Sequence, residues 1–222
     1  MKARLKVLVI DIGGTNVKVL VTGQKEARKF ASSARLTPRK MVAGVKAITK
    51  DWKYDAVSIG YPGVVRNGRI AVEPFNLGKG WVGFSFRNAF RRPVRIVNDA
   101  AMQALGSYRG DTMLFLGLGT GLGTALVVNG HVVPLELGHF PYGKKTVEDY
   151  LGTRGLETLG RARWRKLVGE VTQEFVAAFL VDDVVLGGGN VKKLDRLPKG
   201  CRAGANANAF LGGFRLWETG ER

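Results

Sequence analysis

The feature that most constrains the fold is a repeated segment in which an apolar strand, a glycine-rich turn and a second apolar strand follow one another. The first copy is Val7–Thr22, with its turn at Gly13-Gly14-Thr15. The second copy, about 105 residues later, is Met113–Val128, with its turn inside Gly117–Thr124. Short β-branched runs that stop at turn formers are typical of buried strands. The chain is therefore predicted to be an α/β protein with an internal duplication.

The chemistry of these turns indicates phosphate binding. Glycine adopts backbone angles closed to other residues, so the turn amides can approach a phosphate closely. Thr15 adds a hydroxyl donor, and Asp11 ends the first strand where a carboxylate can hold Mg²⁺. A single such turn is equally compatible with a plain hairpin. The presence of two such turns predicts that a polyphosphate chain is bound from both sides.

Composition adds a strong positive charge. The chain has 35 Lys and Arg residues against 18 Asp and Glu residues, a net charge of +17. Such a field attracts a polyanion, whether nucleic acid, an acidic membrane or polyphosphate, but it is also a common solubility feature.

No apolar run approaches the ~20 residues of a membrane helix. The single cysteine, Cys201, excludes an internal disulfide and a Cys-built zinc site, so a cytoplasmic protein is predicted.

The segments between the two copies supply further elements. Thr37-Pro38 predicts a helix start, and apolar residues at helical spacing extend the pattern from Met41 to Trp52. Ala56–Gly60 and Val94–Val97 are predicted strands. The second of them runs into Asn98-Asp99, and ligands bind at the carboxyl ends of strands in open α/β sheets. The residues alone also allow Asp99 to be only the cap of the next helix.

The second half predicts one long helix, Leu156–Leu180, with an apolar stripe that begins at Trp164. A buried strand at Val184–Leu186 precedes a third glycine turn, and Asn208–Trp217 is predicted to be a closing helix.

Two polar residues, Glu136 and His139, are suited to hydrogen bonding a polar ligand, since no further metal ligands have suitable spacing. His131 is predicted to be structural. The loop at Glu73–Trp81 is predicted to be irregular.

Seven segments in this order resemble the ROK family of sugar kinases, and most closely its polyphosphate (ATP-using) glucokinases. They are IDIGGTNVK at 10–18, GYPGVV at 60–65, NLGKGWVG at 76–83, IVNDAA at 96–101, LGLGTGLGTAL at 116–126, ELGH at 136–139 and LGGGN at 186–190. The resemblance implies an α/β actin-like ATPase (ribonuclease H-like) fold, two lobes with a central cleft. It implies an N-terminal lobe of residues 1–97, completed by a helix at 208–222, and a C-terminal lobe of residues 98–207.

The resemblance also assigns roles to residues. Asp99 falls at the general base, which accepts the proton of a sugar hydroxyl as it attacks phosphorus. Asp11 falls at the Mg²⁺ position. The implied sugar-binding residues are Gly63, Asn98, Asp99, Glu136, His139 and Glu148. The implied phosphate donors are Gly13, Gly14, Thr15, Gly119, Thr120 and Gly121. The turn near the adenosine is implied to contain Gly188, Gly189 and Asn190.

The chain departs from the family in lacking the cysteine-rich zinc motif that usually follows ELGH, so no structural zinc is expected, as in polyphosphate glucokinases. The leading hypothesis is a glucokinase, a homodimer by family resemblance, that phosphorylates the 6-hydroxyl of a hexose from ATP or polyphosphate. The alternatives are a non-catalytic sugar-, nucleotide- or nucleic-acid-binding protein, and a kinase for mannose or an N-acetylhexosamine. Under the kinase hypothesis, neither nucleic acid nor a membrane is an expected partner, and a DNA-repressor role is not expected.

Overall fold

The computed structural model describes residues 5–205 and 207–218. The chain divides into two compact units. Unit 1 comprises Met1–Met102 and Ala209–Arg222, and unit 2 comprises Gln103–Asn208. Within the described ranges, no helix has both the length and the apolar character that a membrane span requires.

The helices and strands follow one another along the chain in two runs. The first run is β1 Val7–Ile12, β2 Asn16–Val21, β3 Arg28–Ala31, α1 Pro38–Ile48, β4 Ala56–Tyr61, β5 Val65–Arg66, β6 Arg69–Ile70, α2 Phe86–Phe90, β7 Val94–Asn98 and α3 Asp99–Ser107. The second run is β8 Thr112–Leu118, β9 Leu122–Val128, β10 His131–Leu135, β11 Pro141–Tyr142, β12 Lys145–Thr146, α4 Val147–Leu151, α5 Thr153–Phe179, β13 Asp183–Gly187, β14 Cys201–Ala203 and α6 Asn208–Arg215. Short 3-10 turns lie at Leu137–His139 and Val191–Lys193.

The main sheet of unit 1 has the strand order β3-β2-β1-β4-β7. Strands β1 and β2 form the predicted antiparallel hairpin, whereas β1, β4 and β7 are parallel. The register places Asp11 beside Gly60, and Gly60 beside Val97. The carboxyl ends of the three parallel strands therefore meet at one edge of the sheet.

The main sheet of unit 2 repeats this arrangement, with the order β10-β9-β8-β13-β14. Strands β8, β9 and β10 are joined antiparallel, and β13 and β14 continue parallel to β8. The Asn129-Gly130 pair between β9 and β10 has φ of 50° and 79°, so the tight turn expected there is confirmed. The two glycine-turn hairpins thus occupy equivalent positions in two sheets of the same topology.

Helix α1 begins as predicted, because the Thr37 side chain accepts the amide of Lys40 at 3.4 Å and Pro38 follows as the first helical residue. Met41 and Val45 are fully buried in the core of unit 1. The extension of the helical pattern to Trp52 is wrong, since the helix ends at Ile48. Trp52 packs into the same core from the segment after the helix. Its apolar side chain therefore matched the helical spacing because it is buried, not because it is helical.

The Glu73–Trp81 segment is irregular, as expected, and is ordered by one carboxylate. Glu73 accepts the amides of Gly80 at 3.0 Å and of Trp81 and Val82 at 3.1 Å each. Burial acts to raise the pKa of Glu73, but the three amides together bring the pKa below its ordinary value. Trp81 is fully buried and donates its indole N–H to the Gly78 carbonyl at 2.6 Å, so it is a core residue.

Helix α6 packs on the sheet of unit 1 through its glycines. A Cβ at Gly213 would overlap the Val9 side chain, so only glycine allows this approach. The Ser58 hydroxyl donates to the Gly213 carbonyl at 2.6 Å and accepts the Trp217 indole N–H at 2.8 Å. The predicted closing helix is thus present, but it ends at Arg215. Residues 219–222 of the expected helix lie outside the described residues.

The long helix of unit 2 is broken, and the prediction of one continuous helix over Leu156–Leu180 is wrong. Gly160 has φ of 75° and ψ of 160°, which is not helical, so α5 is two helical segments joined at this residue. Beyond the break the predicted stripe packs inward, with Trp164, Val168 and Val171 buried. The Trp164 indole N–H donates to the Leu151 carbonyl at 2.9 Å, which fixes the second segment against α4.

Candidate active site

The carboxyl edge of the unit 1 sheet brings together the site residues expected in that unit. We call them the unit 1 cluster, and they are Asp11, Gly13, Gly14, Thr15, Gly63, Asn98 and Asp99. Asp11 is the next-to-last residue of β1, and Gly63 follows β4. Asn98 and Asp99 join β7 to α3. Since β4 separates β1 from β7 in the sheet, the Asp11 and Asn98 backbones lie about 10 Å apart across the sheet.

Asn98, not Asp99, caps helix α3. The Asn98 Oδ1 accepts the amides of Ala100 at 2.8 Å and Ala101 at 3.2 Å, while its Nδ2 donates to the Gly63 carbonyl at 3.1 Å. The simple cap interpretation of Asp99 is therefore wrong, because its neighbour already fills that role. Asp99 is the first helical residue, and its Oδ1 accepts the Ala100 amide at 2.8 Å. Asn98 fixes the start of the helix and the Gly63 turn relative to each other.

Asp11 is a carboxylate held in an unfavourable environment. Burial raises the pKa of Asp11, and the Lys18 ammonium lowers it in part. Lys18 lies directly opposite Asp11 in the β1–β2 pair. Mg²⁺ is commonly held by one or two carboxylates together with substrate phosphates and water, so a single half-buried carboxylate at a strand end fits this ion. Within residues 5–205 and 207–218, no group of three or more His, Cys, Asp or Glu side chains is arranged to hold a metal ion by itself.

The first glycine turn is braced through its carbonyls. Ser32, just after β3, donates its hydroxyl to the Gly13 carbonyl at 2.6 Å and its amide to the Thr15 carbonyl at 2.9 Å. The Gly13 amide donates to the Asn16 carbonyl at 3.0 Å, so it closes the turn. Gly14 and Thr15 are exposed at its tip. Of the three predicted donors in this turn, these two are exposed, whereas the amide of Gly13 is used within the turn.

The second glycine turn, Gly119–Gly121, is braced in the same manner from two elements of unit 2. Thr153, at the start of α5, donates its amide to the Gly119 carbonyl at 2.9 Å and its hydroxyl to the same atom at 3.0 Å. The Asn190 side-chain amide donates to that carbonyl and to Thr153 Oγ1, each at 3.1 Å. The Gly119 amide closes the turn onto Gly121. Asn190 therefore helps to hold the second glycine turn in its conformation.

Glu136, His139 and Glu148 come together in unit 2, and we call them the unit 2 cluster. His139 Nδ1 lies 3.8 Å from Glu136 Oε2, and His139 Nε2 lies 3.6 Å from Glu148 Oε1. Both distances exceed an ordinary hydrogen bond, so neither contact fixes the imidazole. The three side chains remain between 36% and 63% exposed. Two acceptors around one donor-acceptor ring are suited to binding neighbouring hydroxyl groups.

Glu148 also connects this cluster to the second glycine turn. A Cβ at Gly121 would overlap Glu148 Oε2, so that oxygen lies against the turn while Oε1 faces His139. Glu148 lies in α4, whose start is fixed by Asp149, which accepts the Thr146 amide at 3.2 Å and hydroxyl at 2.8 Å. A carboxylate of the unit 2 cluster and the second glycine turn are thus adjacent within one unit.

The third glycine turn contains two glycines with different requirements. Gly188 has φ of 84°, and a Cβ there would overlap the Leu118 carbonyl group. Gly189 has no atom within 4 Å of an added Cβ and is exposed. The first glycine is needed for the close approach of β13 to the end of β8, whereas the second leaves open space.

This pair gives a matched test of the turn. We expect Gly188→Ala to lower the free energy of unfolding by about 3 kcal/mol or more, because it combines backbone strain with a backbone clash. Gly189→Ala is expected to leave the melting temperature within about 2 °C of the parent. If adenosine occupies the space at Gly189, this second variant raises the KM for ATP without changing that for polyphosphate. Melting curves and donor kinetics of both variants check this, and equal melting losses would contradict it.

The structure also identifies residues that sequence reasoning missed. Ser32 and Thr153 brace the two glycine turns, although neither lies in a segment that the motifs singled out. Their only local signals are their positions, directly after β3 and at the start of α5. Lys18 lies directly opposite Asp11 in the β1–β2 pair, so its ammonium group adds positive charge near that carboxylate.

Comparison with known proteins gives a consistent picture. The model of the ROK family matches residues 7–155, more than half of the chain. The polyphosphate glucokinase of Mycobacterium tuberculosis is 27% identical over 209 residues, covering 84% of this chain and 78% of that protein. The N-acetylmannosamine kinase of Yersinia pestis is 29% identical over 140 residues, covering 56% of this chain and 48% of that protein. The crystal structure of the inorganic polyphosphate/ATP-glucomannokinase from Arthrobacter sp. strain KM has a TM-score of 0.81 at 21% identity, covering 97% of this chain and all of that chain.

Proposed function

Because the chain belongs to the ROK family, we propose that it is a sugar kinase of the glucokinase type. It transfers a phosphoryl group from inorganic polyphosphate or ATP to the 6-hydroxyl of a hexose, with glucose as the expected acceptor. The family supplies the reaction class, and the fold is that of the solved actin-like ROK enzymes. The roles of individual residues below are proposed from their contacts.

The observation that carries this proposal is the position of Glu148 in unit 2. One of its carboxylate oxygens faces His139, and the other lies against Gly121 of the second glycine turn. A protein that only binds sugar has no need for a phosphate-binding turn beside its hydroxyl-binding groups. A kinase requires this neighbourhood, since the acceptor hydroxyl and the transferred phosphoryl group must come within bonding reach.

On the acceptor side, Glu136, His139 and Glu148 bind sugar hydroxyls. Two carboxylates accept hydroxyl protons, and the imidazole between them both donates and accepts. Asn98 has its side chain committed to the start of α3 and to the Gly63 carbonyl. Its contribution to sugar binding is therefore to hold the Gly63 turn and Asp99 in place.

On the donor side, the tips of the two glycine turns donate amides to phosphate oxygens. Gly14 and Thr15 do this in unit 1, and Thr120 and Gly121 do it in unit 2. Asp11 holds Mg²⁺, and the ion, when bound, neutralises negative charge on the donor phosphates. Lys18, opposite Asp11, adds a positive charge at the same strand end.

Asp99 is proposed as the general base. A sugar hydroxyl is a weak nucleophile, and a positioned carboxylate takes its proton as the bond to phosphorus forms. Asn98 supports this role, because by capping α3 it fixes the residue from which the Asp99 side chain extends. Asp99 is thereby attached to a rigid helix start and not to a mobile loop.

The net charge of +17 favours polyphosphate as one of the donors, since a long anionic chain needs positive charge beyond the reacting phosphate. We further propose that the protein acts in the cytoplasm as a homodimer, as the family resemblance implies. The relative named as an N-acetylmannosamine kinase keeps a second acceptor open, because 2-position selectivity depends on loop geometry.

A screen of donors against sugars across a salt series tests the proposal. Purified protein is assayed with ATP and polyphosphate as donors, and with glucose, mannose and N-acetylmannosamine as acceptors. We expect glucose to be phosphorylated from both donors. Added salt should raise the KM for polyphosphate more steeply than that for ATP, because more phosphate charges are screened.

The outcomes separate the alternatives. Activity confined to N-acetylmannosamine would keep the kinase and change its acceptor. Activity with ATP alone would remove polyphosphate as a donor and with it the argument from charge. Tight nucleic-acid binding without transfer to any hexose would replace the kinase by a binding protein.

A further inference from the structure

A surface pocket of about 490 Å³ lies in unit 1, and none of its lining residues belongs to the unit 1 cluster. It is lined by Arg87, Asn88, Arg91, Arg92 and Pro93. All of its lining residues are exposed, so it is an open surface depression, and its walls carry three guanidinium groups where most ligand-binding sites are apolar. No carboxylate lines it, so its charge is not balanced locally. A pocket of this kind favours an anion that presents several oxygens.

Two features indicate that the pocket is held in shape. The Arg92 guanidinium donates from Nε to the Tyr54 carbonyl at 3.0 Å and from Nη1 to the Arg91 carbonyl at 3.1 Å. Arg91 ends α2 in the left-handed conformation, with φ of 54° and ψ of 38°. A non-glycine residue in this conformation is uncommon and is retained where the surrounding structure requires it. Arg87 and Arg91 form no ion pair with a carboxylate in the described part of the chain.

The pocket and the unit 1 cluster lie at opposite edges of the sheet. Pro93 directly precedes β7, whereas Asn98 ends β7 and Asp99 follows it. Five residues of extended strand span about 17 Å, so the pocket is about that far from the proposed base. The three phosphates of a nucleoside triphosphate engaged in transfer at Asp99 do not extend over this length, but the phosphates of a long polyphosphate chain do.

We propose that this arginine pocket binds the distal part of an inorganic polyphosphate chain while the chain's terminal phosphate reacts elsewhere. The proposal rests on the proposed function, in that it concerns the polyphosphate donor of that kinase. Polyphosphate is favoured over nucleic acid because no aromatic side chain lines the pocket, and single-stranded nucleic acids are bound largely by stacking on aromatic rings.

The test is a matched pair of charge-neutralised variants. Arg87→Gln/Arg91→Gln removes two pocket charges and keeps a non-glycine residue in the left-handed conformation at position 91. Arg161→Gln/Arg163→Gln removes two exposed charges from unit 2 and serves as the control. The probe is fluorescently labelled long-chain polyphosphate, whose Kd is measured by anisotropy at several salt concentrations. Glucose phosphorylation is measured in parallel with long-chain polyphosphate, tripolyphosphate and ATP.

We expect the pocket variant to weaken long-chain polyphosphate binding about tenfold and to reduce its logarithmic salt slope by about 1.4, at ~0.7 per lost phosphate contact. The control should change both quantities much less. ATP and tripolyphosphate kinetics should stay within about twofold of the parent in both variants, since the three phosphates of these donors are too few to reach the pocket.

Equal losses in the two double variants would overturn the proposal, since the whole positive field and not the pocket would then bind the chain. Unchanged binding in the pocket variant would overturn it as well. Selective loss of a labelled single-stranded DNA, with polyphosphate unaffected, would assign the pocket to nucleic acid. The ATP arm reports the kinase separately. Absence of transfer from ATP to any sugar would contradict the proposed function, even if polyphosphate binding depended on the pocket.

Discussion

Asp99→Asn is expected to lower kcat for glucose phosphorylation by about 10²- to 10⁴-fold while the KM for glucose changes little. Asparagine has the shape of aspartate but does not take a proton from the attacking hydroxyl. The cap of α3 should survive, because Asn98 provides it through bonds to Ala100 and Ala101. The variant should therefore fold and bind sugar, and the loss should appear in turnover.

The matched control is Asp111→Asn, the same chemical change at an exposed residue with φ of 60°, a conformation that asparagine tolerates well. It should retain parental kcat. Steady-state kinetics with glucose and each donor, together with melting curves, distinguish the cases. Parental kcat in the Asp99 variant would remove this residue from the chemistry, and an equal loss in the control would point to an effect of handling or charge.

Asp11→Asn is expected to have the second largest effect, a loss of about 10²-fold or more in kcat together with a gain in stability. The loss follows from removing the carboxylate proposed to hold Mg²⁺. The gain follows from the pKa of Asp11, which burial raises more than Lys18 lowers it. When the pKa of a carboxyl is higher in the folded than in the unfolded protein, the protein loses stability as the pH rises from the unfolded-state pKa to the folded-state pKa. At neutral pH its ionised form therefore destabilises the protein without metal.

Neutralising this group should raise the free energy of unfolding by about 1 kcal/mol, or about 2–4 °C in melting temperature. Asp51→Asn provides a control of opposite sign in the same unit. The Arg28 hydrogen bond lowers the pKa of Asp51 to about 2, so its ionised form contributes stability that is lost only as the pH falls toward that value. Melting curves without Mg²⁺ and kinetics with it provide the readouts. A lower melting temperature for Asp11→Asn would contradict this account of Asp11.

The sequence predicted those features that depend on neighbouring residues. Strands β1 and β8, their glycine turns and the Thr37-Pro38 helix start follow from local patterns, and the structure contains all of them. The errors also have local causes. An isolated glycine within a helical pattern does not reveal its φ, so the break at Gly160 was missed. Asn98 and Asp99 are both good caps, and the assignment between them depends on where the helical angles begin.

The contacts that give the site its meaning are non-local, and no sequence pattern contains them. The approach of Glu148 to Gly121 depends on how α4 packs beside β9. The bracing of Gly119 by Asn190 joins residues 71 positions apart. The family resemblance named Glu148 and Asn190 but not these contacts. Similarly, Arg87, Arg91 and Arg92 were visible as basic residues, but their common pocket depends on the left-handed end of α2.

The most direct measurement is phosphorus NMR of the products formed from glucose and each donor. The account predicts glucose 6-phosphate with the parent protein, no product with 6-deoxyglucose, and a strongly reduced product with Asp99→Asn. Release of orthophosphate alone, or the same sugar phosphate from the parent and from Asp99→Asn, would contradict it.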